Sequence, residues 1–134
     1  MLLETMIEKI KEDFPSLKFS VNKEEHLISI PAFNEDVGGI QIQDDEYELT
    51  VYIGHFTHWH VGDFEETNNE KEKAINIANE ISEFLNDLFE NKIIMWGKHE
   101  KSGGFYHIDE KSNSKSLLGK QHEEWTWSGP ISSS

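Results

Sequence analysis

The chain has 134 residues, with 26 acidic side chains against 12 basic ones and a formal net charge of −14. A domain of this size buries enough surface to fold without crosslinks, and the absence of cysteine excludes disulfides, thiolate catalysis and cysteine-based metal centres. Every basic residue is lysine, so the planar guanidinium fork that grips phosphate is missing; with the acidic excess, this argues against nucleic acid and anionic membrane as partners.

The N-terminus carries Glu4 and Glu8 before any lysine, and no long apolar run follows, so it does not read as a signal peptide. No stretch reaches the apolar length that spans a bilayer, and the expected location is the cytoplasm. Leu3, Met6, Ile7, Ile10 and Phe14 recur at helical spacing, which predicts a helix over 2–13 that Pro15 stops.

A series of short strands is predicted next. Residues 17–21 alternate, with Leu17, Phe19 and Val21 on one face. Asn22 to Glu25 reads as a turn. Ile28 and Ile30 point inward from a second strand that ends, or lies at an edge, at Pro31. Ile40 and Ile42 define a third strand, and Asp44, Asp45 and Glu46 a tight turn. In the fourth, Tyr47, Leu49, Val51 and Ile53 share one face and Glu48, Thr50 and Tyr52 the other. The connections are too short for crossovers, so this run is an antiparallel meander.

The longest periodic segment follows. Ala74, Ile77, Ala78, Ile81, Phe84, Leu85 and Leu88 form one stripe, predicting a helix near 70–91, with Thr67 and Glu70 spaced as a capping box. Two strands, "IIMWG" and "FYHI", are joined by a polar hairpin, and Trp125 and Trp127 fall on one face of a last strand before a short polar tail. The expected fold is a single α+β domain over residues 1–134. Its antiparallel meander sheet carries an N-terminal helix and one long amphipathic helix packed on it.

Charge is unevenly distributed. Residues 24–90 hold 17 acids and only Lys71 and Lys73, a net of −15, while the remainder is +1. Such a surface favours a basic protein partner, because complementary fields speed encounter and suppress wrong pairings. The plainer account is solubility.

The segment "GHFTHWHVGDFEE" puts His55, His58 and His60 within six residues. His58 and His60 share a face on a strand and are the residues a metal would use if one bound there. With Glu65 they make His-x-His-x4-Glu, part of a cupin metal pattern. Tyr52 stands where a cupin has glycine, and a helix follows where strands should continue, so a cupin is excluded. Nothing in the sequence fixes the convergence of further ligands from His55, Asp63, His99 or His107, although zinc needs three or four. The expectation is therefore no metal and no cofactor, with the imidazoles packed against Phe56 and Trp59. There is no serine elbow, no phosphate-cradling glycine loop and no assignable carboxylate pair, so the chain does not read as an enzyme.

The run "YELTVYIGHFTHWHVGDFEE", a helix ending "FLNDLFENKIIMWG" and the hairpin "KSGGFYHI" resemble small acidic bacterial proteins of the polymorphic-toxin immunity type, over about residues 45–108. That resemblance implies a small cytoplasmic protein made beside a toxin that it neutralises, and it carries no catalytic residues across. On this reading Asp44, Asp45, Glu46, Asp63, Glu65 and Glu66 steer a basic toxin domain, and Tyr52 and Trp59 anchor it. Two alternatives stand beside it: an acidic secretion chaperone, and a metal-dependent enzyme built on His58 and His60.

Overall fold

The computed structural model describes residues 2–45, 48–54, 57–62, 69–98, 102–107 and 124–130. Glu46, Tyr47, His55, Phe56, Asp63, Glu65, Glu66, Thr67 and His99, to which the sequence assigns roles, lie outside the described residues.

Helix α1 spans Leu2–Asp13 and buries Leu3, Met6 and Ile10. It ends where the sequence demands: the Phe14 N–H still bonds the Ile10 carbonyl at 2.8 Å, and Pro15 has no N–H to continue the ladder. Five strands follow: β1 (Ser20–Asn22), β2 (Leu27–Ile30), β3 (Ile40–Asp44), β4 (Leu49–Ile53) and β5 (Thr57–Val61). They pair antiparallel in sequence order, as a meander. Helix α2 (Glu70–Phe89) comes next, then β6 (Ile93–Lys98), β7 (Ser102–His107), β8 (Glu124–Thr126) and β9 (Gly129–Pro130). These last four form a second antiparallel sheet in the order β7-β6-β8-β9. The protein is thus α+β, with both helices against the meander.

Period-two alternation decides which side of the meander is covered. Ile28 pairs with Ile42, Ile42 with Val51, and Val51 with Trp59, so these side chains form one row across the sheet. With Ile30, Ile40, Leu49, Ile53 and Val61 they join Met6 and Ile10 of α1 and Ile77, Ile81, Leu85 and Leu88 of α2 in one buried cluster. Fully burying a side chain of this size contributes about 1.5–3 kcal/mol. The layers are therefore held mainly by this shared apolar row.

The ends of α2 correct one expectation. Its N-cap is Asn69, whose side chain accepts from the N–H groups of Lys71 at 3.0 Å and Glu72 at 3.3 Å. A capping box led by Thr67 would start the helix two residues too early. At the C-terminus Asn91 takes a left-handed conformation, φ 63°. Its N–H bonds the Leu88 carbonyl at 3.0 Å, and the Lys92 N–H reaches back to Asp87 at 2.8 Å. This is a Schellman end, with asparagine in the place glycine usually takes.

Three further expectations shift. The first strand begins at Ser20, because Leu17 and Phe19 pack on the core without strand pairing. The C-terminal strand ends at Thr126. Trp125 packs on the core from β8, while Trp127 lies in the β8–β9 turn, buried with its ring 5.4 Å from that of Phe89. Finally, "IIMWG" and Phe105–His107 belong to the separate second sheet, where Trp96 lies over Gly104; a Cβ there would come within 2.8 Å of the indole.

Candidate functional site

The face of the meander opposite the helices is built from two cross-strand rows. One runs Ser20, Ser29, Gln41, Tyr52, His58; the other runs Asn22, Leu27, Gln43, Thr50, His60. The alternation that buries isoleucine on one side places this polar and aromatic set on the other. Gln41, Tyr52, His58 and His60 are exposed. At one end of the face an open groove of about 420 Å³ is lined by Ser20, Ser29, Pro31, Gln41, Tyr52 and Gly54. Gly39 borders it, and the backbone there leaves no room for a side chain: a Cβ would run into the Ile30 carbonyl oxygen.

The other end holds a cluster of donors. The β3–β4 turn is closed by the Asp45 N–H on the Glu48 carbonyl at 3.0 Å, which brings the two acidic side chains to one place. Register puts Thr50 directly opposite His60. Thr50 is only 1% exposed, and its hydroxyl donates to Asp45 Oδ2. The same hydroxyl lies 3.0 Å from His60 Nδ1, which is also 3.1 Å from Glu48 Oε1. One ligand atom from each of Asp45, Glu48 and His60 falls within 4.8 Å of the others.

The sequence-predicted site residues divide between the two faces. Tyr52 and Asp45 stand on the outer side, Tyr52 at 38% exposed and with its ring 5.9 Å from that of His58. Asp44 is half-buried and accepts from the Leu3 N–H at 3.2 Å, so its carboxylate serves the N-terminus of α1. Trp59 points the opposite way from Tyr52. Its ring lies 5.3 Å from Phe84 and 5.9 Å from Phe105, centroid to centroid, so it bridges β5, α2 and β7. The two aromatic anchors therefore do not share a surface. The histidines also differ from expectation. His58 and His60 do share a face, but their rings, 5.0 Å apart, sit beside each other and away from Trp59. His107 lies elsewhere, with Nε2 3.6 Å from Asp87 Oδ2.

Sequence reasoning missed Glu48 and Thr50 as partners of His60. The available signal was the β4–β5 register, since the antiparallel pairing of Leu49–Ile53 with Thr57–Val61 places residue 50 across from residue 60.

A second polar feature lies on the helix layer. A groove of about 830 Å³ between α1 and α2 is lined by Glu12, Asp13, Glu83 and Asp87 together with Lys9 and Ser82. Ser82 is buried and donates to Asp13, and Lys9 Nζ is 3.1 Å from the same carboxylate. Those bonds hold the Asp13 carboxyl below the usual carboxylate range, the Ser82 hydroxyl being the main cause and burial opposing it. Among the described residues no helix is long and apolar enough to cross a membrane.

No family model, curated protein or solved structure matches the chain.

Proposed function

We propose that the protein is an interaction protein of the immunity type, which binds a basic toxin domain and neutralises it. The outer face of the meander is the contact surface. The observation that carries this reading is the exposure of Tyr52 on a polar sheet face whose one end is acidic through Asp45 and Glu48. An exposed aromatic flanked by charge supplies both parts of a protein interface. The ring gives buried area at low entropic cost, and the carboxylates give direction to the encounter. Lys-rich or Arg-rich toxin surfaces are the chemical complement of a chain with a net charge of −14. No chemical step is assigned to the protein, and neutralisation follows from occlusion of the toxin's own site.

Co-expression tests the reading directly. The product of the gene beside this one should kill cells when made alone and spare them when this protein is present. Binding of the purified pair should slow on association as salt rises, because screening shortens to about 8 Å at physiological ionic strength. An adjacent product that is harmless, or a lethal one against which this protein gives no protection, defeats the immunity reading.

A further inference from the structure

We propose that Asp45, Glu48 and His60 form a binding site for a divalent transition-metal cation of the zinc class. This goes beyond the partner-binding reading and does not depend on it. It also departs from the expectation drawn from the sequence, which sought ligands along the histidine stretch when they lie across the sheet.

The donors come from two places in the chain and meet through the fold. Asp45 and Glu48 are brought together by the β3–β4 turn, and His60 is set beside them by the β4–β5 register. Their ligand atoms lie within 4.8 Å of one another, and His60 Nδ1 and Glu48 Oε1 are 3.1 Å apart. With metal–ligand bonds of about 2.1 Å, neighbouring ligands sit about 3.0 Å apart in an octahedral set and about 3.4 Å apart in a tetrahedral one. The observed pair has the edge length of such a polyhedron before any rearrangement.

The surroundings support the same assignment. The buried Thr50 hydroxyl spends its one proton on Asp45, so its oxygen meets His60 Nδ1 as an acceptor. Nδ1 thus faces oxygen lone pairs from both Thr50 and Glu48. It is placed either to carry the ring's N–H toward these oxygens, as one neutral tautomer does, or to give its lone pair to a metal that takes the place of that proton. Two carboxylates match the charge of a divalent ion, which relieves their mutual repulsion in a strongly acidic chain. One imidazole with two carboxylates suits zinc and its transition-metal neighbours better than magnesium or calcium, which favour all-oxygen sets. Thr50 acts as the orienting partner that holds a ligating carboxylate in place. Asp45 and His60 are exposed, so coordination positions remain open to water.

The test is calorimetric titration of zinc chloride into protein made without a histidine tag and stripped with chelator. One equivalent should bind saturably, and magnesium in excess should not displace it. His60→Ala and Glu48→Gln should each weaken binding by at least about tenfold, while His58→Ala should leave it unchanged. Circular dichroism of each variant confirms that it is folded. Absence of binding overturns the proposal. So does binding that survives His60→Ala or Glu48→Gln, or binding that is lost in His58→Ala, which would indicate chelation along the strand. The isolated protein suffices for this measurement, so a negative result leaves the toxin-neutralising reading standing, and a failed protection assay leaves the metal site standing.

Discussion

The Ser82 hydroxyl of α2 donates a hydrogen bond to the Asp13 carboxylate at the end of α1. It ties the two helices together at a point where both meet solvent, and Lys9 supports the same carboxylate from one turn earlier. The consequence is a pH dependence of known sign. The folded state holds the Asp13 carboxyl below its ordinary value, so the unfolded chain takes up the proton first. The stabilisation is complete above about pH 4, the ordinary carboxylate range, and is lost as pH falls through the lower folded value. Asp13→Asn should therefore cost about 1 kcal/mol at pH 7, a modest figure because the carboxylate is partly screened by solvent. Urea midpoints of the two proteins should converge as the solution is acidified below pH 4. A difference that stays constant across that range would remove the charge from the explanation.

Asn91 serves two ends of the fold at once. Its left-handed backbone closes α2, and its Oδ1 accepts from the Ser128 N–H at 3.1 Å, fastening the β8–β9 turn. Asn91→Gly keeps the backbone freedom and loses the side-chain bond. Asn91→Ala loses both, and adds the cost of a left-handed alanine, about 1–2 kcal/mol. Thermal unfolding should rank wild type above glycine and glycine above alanine. Equal stability of the two variants would mean that the left-handed conformation contributes nothing measurable.

Gly39→Ala tests the packing beneath the outer-face groove. Its Cβ would meet backbone, the Ile30 carbonyl, which cannot rotate aside as a side chain can. The neighbouring bond from the Gly54 N–H to the Gly39 carbonyl, 2.9 Å, holds the segment against retreat. A loss of about 1–3 kcal/mol is expected by denaturant titration. Unchanged stability would show that the β2–β3 connection can move.

Much of the architecture was legible because apolar periodicity is a local signal. Ile28, Ile42 and Val51 each announce an inward face from their own strand, and Ile77, Ile81 and Leu85 announce a helix stripe. What failed was what depends on distant partners. Leu17 and Phe19 alternate like a strand but pack on the core without a pairing edge. The separation of β6–β9 into a second sheet is a pairing choice that no single strand records. The Asp45–Glu48–His60 cluster was hidden for the same reason, since the histidine stretch drew attention to its own neighbours in sequence when the partners come across the β4–β5 hairpin. The buried Thr50 and Ser82 would also pass for surface residues in the sequence. Each is paired with a carboxylate that only the fold brings near.

Tyr52 and Trp59 give the sharpest separation between folding and binding. Both were aromatic candidates for a partner surface, yet strand alternation turns them to opposite sides of the meander. Tyr52 rests on the outer face, where its hydroxyl is 3.5 Å from Gln43 and its ring leans on His58. Removing it exposes no core, so Tyr52→Ala should change stability by no more than about 0.5 kcal/mol. Trp59 is half-buried and packs between Phe84 and Phe105, whose own rings are 5.2 Å apart. Trp59→Ala should therefore cost about 3 kcal/mol, the lower end for loss of a packed indole. Partner binding should invert the order. If the proposed toxin partner binds the outer face, Tyr52→Ala should speed dissociation while leaving association nearly unchanged, as the loss of an anchor does. Trp59→Ala should affect binding only through the fraction of protein that remains folded. Stopped-flow binding at a temperature where both variants are fully folded separates the two. Faster dissociation caused by Trp59→Ala alone would move the contact surface from the outer face to the seam between β5 and β7.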